Sequence, residues 1–146
     1  MDASGLSLWV PGKVRGQGRP RAVRRAPRVG VHKDAKDENY EAFIAQVWAA
    51  NGQVRLDGPT FVEITAYLER PAGHFLKNGS LSTAGRRSPY PVKKPDIDNI
   101  QKSVFDALNT RAWADDSQII RVDCRKEWAD SIAGPGLEID AYVLDL

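Results

Sequence analysis

The sequence predicts an α+β domain, a mixed, mainly antiparallel four-stranded sheet with two helices. Three observations carry that expectation. Two segments, 34–51 and 98–108, repeat apolar residues at helical spacing. Four others, near 6–10, 60–68, 119–128 and 137–143, alternate in the manner of strands. The last two strands follow one another closely enough to fit a hairpin, which favours antiparallel pairing. A chain of 146 residues with 42% hydrophobic content is one domain long and can bury a core, so residues 1–146 are taken as a single unit.

Leu6 to Val10 stops at Pro11-Gly12 and reads as the first strand. A basic arm, residues 13–33, follows. Its Gly and Pro punctuation argues for a loop, with an extended piece near Arg28 to Lys33. In the first helix Tyr40, Phe43, Ile44, Val47 and Trp48 form one apolar face, Asp34 and Asp37 sit where caps and first-turn acids belong, and Asn51-Gly52 ends it. Thr60 to Leu68 is a strand with Val62, Ile64, Ala66 and Leu68 on one face. Residues 70–94 lose periodicity and mix Pro and Gly with Lys77, Arg86, Arg87, Lys93 and Lys94, beside His74, Phe75 and Tyr90. So long a loop in a compact domain points to function or to a tolerated insertion, and cations among aromatics suit nucleic acid. The second helix buries Ile100, Val104, Ala107 and Leu108, with Asp98 as expected N-cap in a capping box with Gln101. Ile119 to Trp128 is a strand expected to turn Ile120, Val122 and Cys124 to the core, and Leu137 to Val143 closes the sheet.

Composition excludes several classes. One cysteine, Cys124, leaves no internal disulfide, and with two histidines the chain is poor in zinc ligands. No segment reads as a signal peptide or membrane span, so a cytoplasmic protein without a membrane partner is expected. Walker, GxSxG and HExxH motifs are absent, and no nucleotide cofactor is expected. The net charge of +2 conceals an asymmetry. Residues 1–33 hold eight of the 21 basic residues, and residues 34–146 carry 13 basic against 18 acidic, a net −5. A basic arm on an acidic body fits a polyanion partner and an anchored cation.

The chemistry gathers between Lys93 and Ile120. Asp96 and Asp98, two residues apart in an extended segment, would face one side and repel unless a cation or proton lies between them. Hard cations such as Mg2+ prefer oxygen ligands. Asp98 has two readings, cap and ligand, and a carboxylate has acceptor sites for both. Asp115 and Asp116 begin the strand after the helix, and one of them could face the same side. Lys102, four residues after Asp98, projects from the same helix flank and suits either a counter-charge or a scissile phosphate. Asp106 is expected to pair structurally with Lys102.

These residues resemble the RusA-type Holliday junction resolvases of phages and prophages. The likeness rests on Pro95-Asp96-Ile97-Asp98-Asn99-Ile100-Gln101-Lys102, then Phe105-Asp106-Ala107-Leu108, then Asp115-Asp116-Ser117-Gln118-Ile119, with Gln17 to Arg21 similar to an early basic motif. The resemblance implies a RusA-like fold, with Asp96, Asp98, Asp116 and Lys102 catalytic. It implies metal held by Asp96, Asp98 and Asp116 with Asp115 in support: Mg2+, with Mn2+ as a substitute. It implies a homodimer acting on four-way or other branched DNA. The basic residues Arg15, Gln17, Arg19, Arg21, Arg24, Arg25, Lys77, Arg86, Arg87, Lys93 and Lys94 would bind DNA. Other readings of the same residues are a branched-DNA-binding protein without catalysis and a nuclease acting on flaps. Trp9, Trp113 and Trp128 are left over as candidates for a dimer surface.

Overall fold

The computed structural model describes residues 4–16, 21–25, 28–32 and 35–144, the segments 21–25 and 28–32 as backbone only. The strands are β1 (Gly5–Pro11), β2 (Arg21–Arg25), β3 (Arg28–His32), β4 (Thr60–Leu68), β5 (Ile119–Trp128) and β6 (Gly136–Val143). The helices are α1 (Ala35–Ala50), the single-turn α2 (Thr83–Arg86) and α3 (Ile97–Leu108). β1, β6, β4 and β5 lie side by side in that order in a four-stranded sheet. β6 runs antiparallel to both neighbours, whereas β4 and β5 are parallel. The expected mixed, mainly antiparallel sheet is therefore present.

The expected hairpin between the last two strands is not. β6 inserts between β1 and β4, and β5 pairs only with β4, at the edge. A tight turn cannot join parallel strands, so the chain between β4 and β5 must cross over the sheet. It does so through residues 69–118, and α3 is the main helix of that crossover. Part of the basic arm, expected as a loop, forms a second small sheet, with Arg21↔His32 to Arg25↔Arg28 paired antiparallel.

One apolar layer lies between the sheet and the two long helices. α3 contributes Ile100, Val104, Ala107 and Leu108, all buried as expected. They meet Val62, Ile64 and Ala66 of β4, Leu137, Ile139 and Ala141 of β6, and Tyr40 and Ile44 of α1 in one cluster. Phe43 was expected on the inner stripe of α1 but is 37% exposed. Asn51 and Gly52 do end the helix: the Asn51 side chain donates to the Val47 carbonyl at 2.7 Å, and Gly52 takes φ +95°. The opposite face of the sheet carries aromatic pairs, Trp9 against Tyr67 and Phe61 against Tyr142, with Arg121 over Phe61.

β5 faces as expected, with Val122 and Cys124 paired to the core residues Val62 and Ile64, but its burial needs correction. Ile120 and Val122 were assigned to the core but are exposed, and Cys124 is half-buried. An edge strand has a neighbour on one side only, and α3 reaches it at Cys124, whose thiol approaches the Ile97 carbonyl. Burial pushes that thiol up to about 11, with Asp123 adding to the effect, so it stays neutral at physiological pH. Trp113, a candidate for a dimer surface, is fully buried instead. Among the described residues no helix is long and apolar enough to cross a membrane.

These placements separate two substitutions of similar chemistry. Leu108→Ala should cost about 2–5 kcal/mol in denaturant unfolding. Ile120→Ala should stay within about 0.5 kcal/mol of wild type. A large loss at Ile120 would return that side chain to the core.

Candidate active site

The acids of the central stretch are distributed by α3. Asp96 is the N-cap residue of that helix, in extended conformation, and its side chain makes no capping hydrogen bond. Asp98, expected to be the cap, lies within the first turn instead, and its carboxylate accepts from the Asn99 backbone N–H at 3.0 Å. The capping box with Gln101 is thus absent. Asp96 and Asp98 are both exposed at the positive end of the helix dipole, which favours negative charge there. Extended backbone before the helix follows from Pro95, which disfavours helical conformation in the residue preceding it.

Lys102 and Asp106 continue from Asp98 at four-residue steps, so the three share one exposed flank of α3. The buried stripe on the other side of the helix fixes that flank outward. At the far end Asn109, the C-cap residue, accepts from the Asp116 backbone N–H at 3.0 Å. The buried Trp113 indole donates to the Asp116 carboxylate at 2.8 Å. Asp115 caps a 3-10 turn over Asp116–Gln118 by accepting from the Ser117 N–H, also at 3.0 Å. A helix of 12 residues is about 18 Å long, so Asp96 and Asp116 are tied to opposite ends of it. Among the described residues no three His, Cys, Asp or Glu side chains stand together in a group that could hold a metal ion.

The two neighbouring acids at that end differ in proton affinity. Hydrogen bonds from Ser117 hold Asp115 below the ordinary carboxylate range. Burial raises Asp116, as do the charges of Asp106 and Asp115, against the lowering effect of the Trp113 hydrogen bond. Asp106 lies in the field of Asp116, a relation readable from sequence only if the chain's return past the helix end were known.

The basic residues divide as well. Arg15 is part-buried and pairs with the buried Asp37 of α1 at 3.7 Å. It therefore anchors the arm to the body. Gly16 passes so close to the start of α3 that a Cβ there would lie 2.8 Å from Asn99 Cβ and 2.9 Å from Pro95 Cβ. Gln17 and Arg19 lie outside the described residues, and Arg21, Arg24 and Arg25 are on β2, described by backbone alone. The 70–94 segment is folded on itself: the Leu76 N–H donates to the Ser80 carbonyl, and the Ser82 hydroxyl caps α2. Lys77, Arg86, Arg87, Lys93 and Lys94 are exposed on it. Arg86 is partly engaged locally, donating to the Leu81 carbonyl and the Thr83 hydroxyl.

Residues 11–141 match the protein family described as Endodeoxyribonuclease RusA. The chain belongs to the RusA endodeoxyribonuclease family. The match takes in the arm, the crossover and α3 together. The chain is also similar to a Bacillus subtilis (strain 168) protein described as "Uncharacterized protein YqaN", at 29% identity over 126 residues, 86% of this chain and 89% of that one. Membership of the RusA family makes the chain an endodeoxyribonuclease, a hydrolase of DNA.

The raised Asp116 carboxyl has a signed consequence. The folded state holds that proton more tightly than the unfolded state, so its contribution to stability falls as pH rises from the ordinary carboxylate pKa through the raised one. In chelator-treated protein, wild type should therefore lose stability relative to Asp116→Asn as pH rises through that window. Denaturant unfolding of both proteins between about pH 4 and 7 checks this. A parallel pH course would remove the perturbation.

Proposed function

We propose that this RusA-family chain is a structure-specific endodeoxyribonuclease that resolves four-way DNA junctions by paired phosphodiester hydrolysis, working as a homodimer. The single observation that carries the reading is the family match across the β4–β5 crossover that bears Asp96, Asp98 and Lys102. Residues 1–146 act as one nuclease unit in this reading, with 13–33 and 70–94 as its DNA-gripping parts.

The donor chemistry at the start of α3 fits a divalent cation. Asp96 and Asp98 are exposed carboxylates, Asp96 with no side-chain capping hydrogen bond and Asp98 with one oxygen on the Asn99 N–H, and Mg2+ is commonly held by one or two carboxylates, waters and substrate phosphate. Mg2+ is the proposed ion, with Mn2+ as a substitute. A cation bound there would activate water and polarise the phosphate. Asp96 and Asp98 would hold it. The Lys102 ammonium would offset negative charge building on the phosphate in the transition state. Asp116, with Asp115 beside it, is proposed as a further catalytic and metal-binding aspartate; it lies at the other end of α3, about 18 Å along the helix, so its part rests on the family match and not on nearness to Asp96 and Asp98. Exposed cations on the folded 70–94 segment and the arm would grip the DNA backbone without reading sequence.

A synthetic four-way junction, a flap and a linear duplex, each with Mg2+, test the reading. Wild type should cut the junction in preference, and chelation should abolish cutting. Asp96→Asn and Asp98→Asn should bind the junction but cut it on the order of 100-fold more slowly or worse, and Lys102→Ala should lose roughly 100-fold. A wild type that binds but cuts under no divalent cation contradicts the catalytic reading. Equal cutting of all three substrates would remove the junction preference.

The arm makes a separate prediction. Replacing Arg19, Arg21, Arg24 and Arg25 by Ala should weaken junction binding and flatten its logarithmic salt slope by about 0.9 for each phosphate no longer neutralised. An unchanged slope takes the arm out of the interface.

A further inference from the structure

The 70–94 segment, the end of β5 and the residues after β1 enclose a cavity of about 650 Å3, within the range of about 300–1,000 Å3 usual for ligand sites. Of its lining the nuclease reading uses the rim lysines Lys93 and Lys94, as phosphate contacts, and leaves the hollow itself without a role. Its inner wall is built in advance of any ligand. Arg70, just past β4, lies over the Trp128 indole at 4.9 Å from the ring centroid. Its guanidinium donates to the Gly85 and Ser88 carbonyls at 3.1 and 3.2 Å. His74 meets Trp128 edge-on at 5.5 Å, and the indole N–H donates to the Ser88 carbonyl at 2.7 Å. Gly85 is pressed to the same turn, since a Cβ there would lie 2.4 Å from the His74 carbonyl oxygen. The aromatic wall is thus fixed by hydrogen bonds to the segment that closes over it.

The rim has a different character. Tyr90 lines the cavity yet is 72% exposed. Lys13, Lys93 and Lys94 also line it, against one carboxylate, Glu69. With Arg70 this makes four cations to one anion around an aromatic-walled hollow. Such a combination suits a flat ring carried on a polyanion. The rim also leads into the candidate active site. Lys126 donates from β5 to the Lys93 and Pro95 carbonyls at 2.8 and 3.1 Å, which fastens the segment running directly into Asp96.

We propose that this cavity receives one unpaired DNA base, with the adjoining phosphates on Lys13, Lys93 and Lys94, and so sets the strand beside Asp96 and Asp98. The proposal rests on the nuclease reading and adds a base-holding site to it. A base within a duplex is stacked on both faces and cannot enter. A base at a branch point can, at the cost of local unstacking. Stacking against the exposed Tyr90 ring at the rim tolerates any base, because every base has a π-face.

The test uses the full chain with chelator present, so that binding is read without cleavage. Fluorescence anisotropy compares a short oligothymidylate with an abasic oligomer of the same length and charge. Wild type should prefer the oligothymidylate by about five-fold or more, the lower end of base–aromatic stacking. Tyr90→Ala, an exposed position outside the core, should remove most of that preference and leave abasic binding unchanged. Lys93→Ala combined with Lys94→Ala should weaken both oligomers together. Equal affinity of wild type for the two oligomers, or a Tyr90→Ala defect shared equally by both, overturns the proposal. Thymidine monophosphate competing on a par with the oligomer would make the cavity a nucleotide site and overturn it too. Junction cleavage, measured separately with Mg2+, reports on the nuclease reading alone, so failure of either is visible without the other.

Discussion

The burial of one stripe of α3 is the constraint on which the rest of the molecule depends. Parallel β4 and β5 require a crossover, and the crossover is stable only if its helix covers the sheet. Ile100, Val104, Ala107 and Leu108 meet that demand with nothing left exposed. Once they face inward, Asp98, Lys102 and Asp106 must face outward along one flank. The helix ends are then placed too: Asp96 and Asp98 at the start, beside the closed 70–94 segment, and Asp116 at the finish, held by Asn109 and Trp113. The fold and the proposed site share one connection.

Charge is organised around the same helix. The start of α3 carries acids where the helix dipole favours them. The basic arm is drawn to that end by close packing of Gly16 on Asn99 and Pro95, and it is anchored behind by Arg15 on Asp37. The exposed Lys93 and Lys94 also lie within a few residues of the exposed Asp96 and Asp98. At the other end, desolvation and neighbouring acids separate Asp116 from Asp115 in proton affinity, as expected where like charges crowd a partly buried site.

Local periodicity made much of this legible. The buried stripe of α3, the span of β4 and the stop at Asn51-Gly52 follow from patterns within a few residues, and the structure has them. Order in the sheet does not follow from local pattern. β6 lies between β1 and β4 because of long-range register, and adjacency in sequence suggested a hairpin with β5 that does not form. Ile120 and Val122 alternate like core residues, but they precede Cys124, where α3 reaches this edge strand, and are left outside. Trp113 looked like surplus surface until the chain's return past α3 buried it and gave its N–H to Asp116. In the site, the family was readable because Asp96 to Lys102 is contiguous. The N-cap was misplaced from Asp96 to Asp98 because capping depends on where helical dihedrals begin, which an Asp-x-Asp pair leaves ambiguous.

The central claim is that a divalent cation binds where α3 begins. Titrating the isotope-labelled protein with Mn2+ and following paramagnetic broadening of its backbone amide NMR signals tests that claim directly. Broadening at the lowest Mn2+ levels should be greatest at Asp96, Ile97, Asp98 and Asn99, and Asp98→Asn should abolish it there. Broadening centred instead on Asp130, Glu138 or Asp140, with the start of α3 unaffected, would contradict the account.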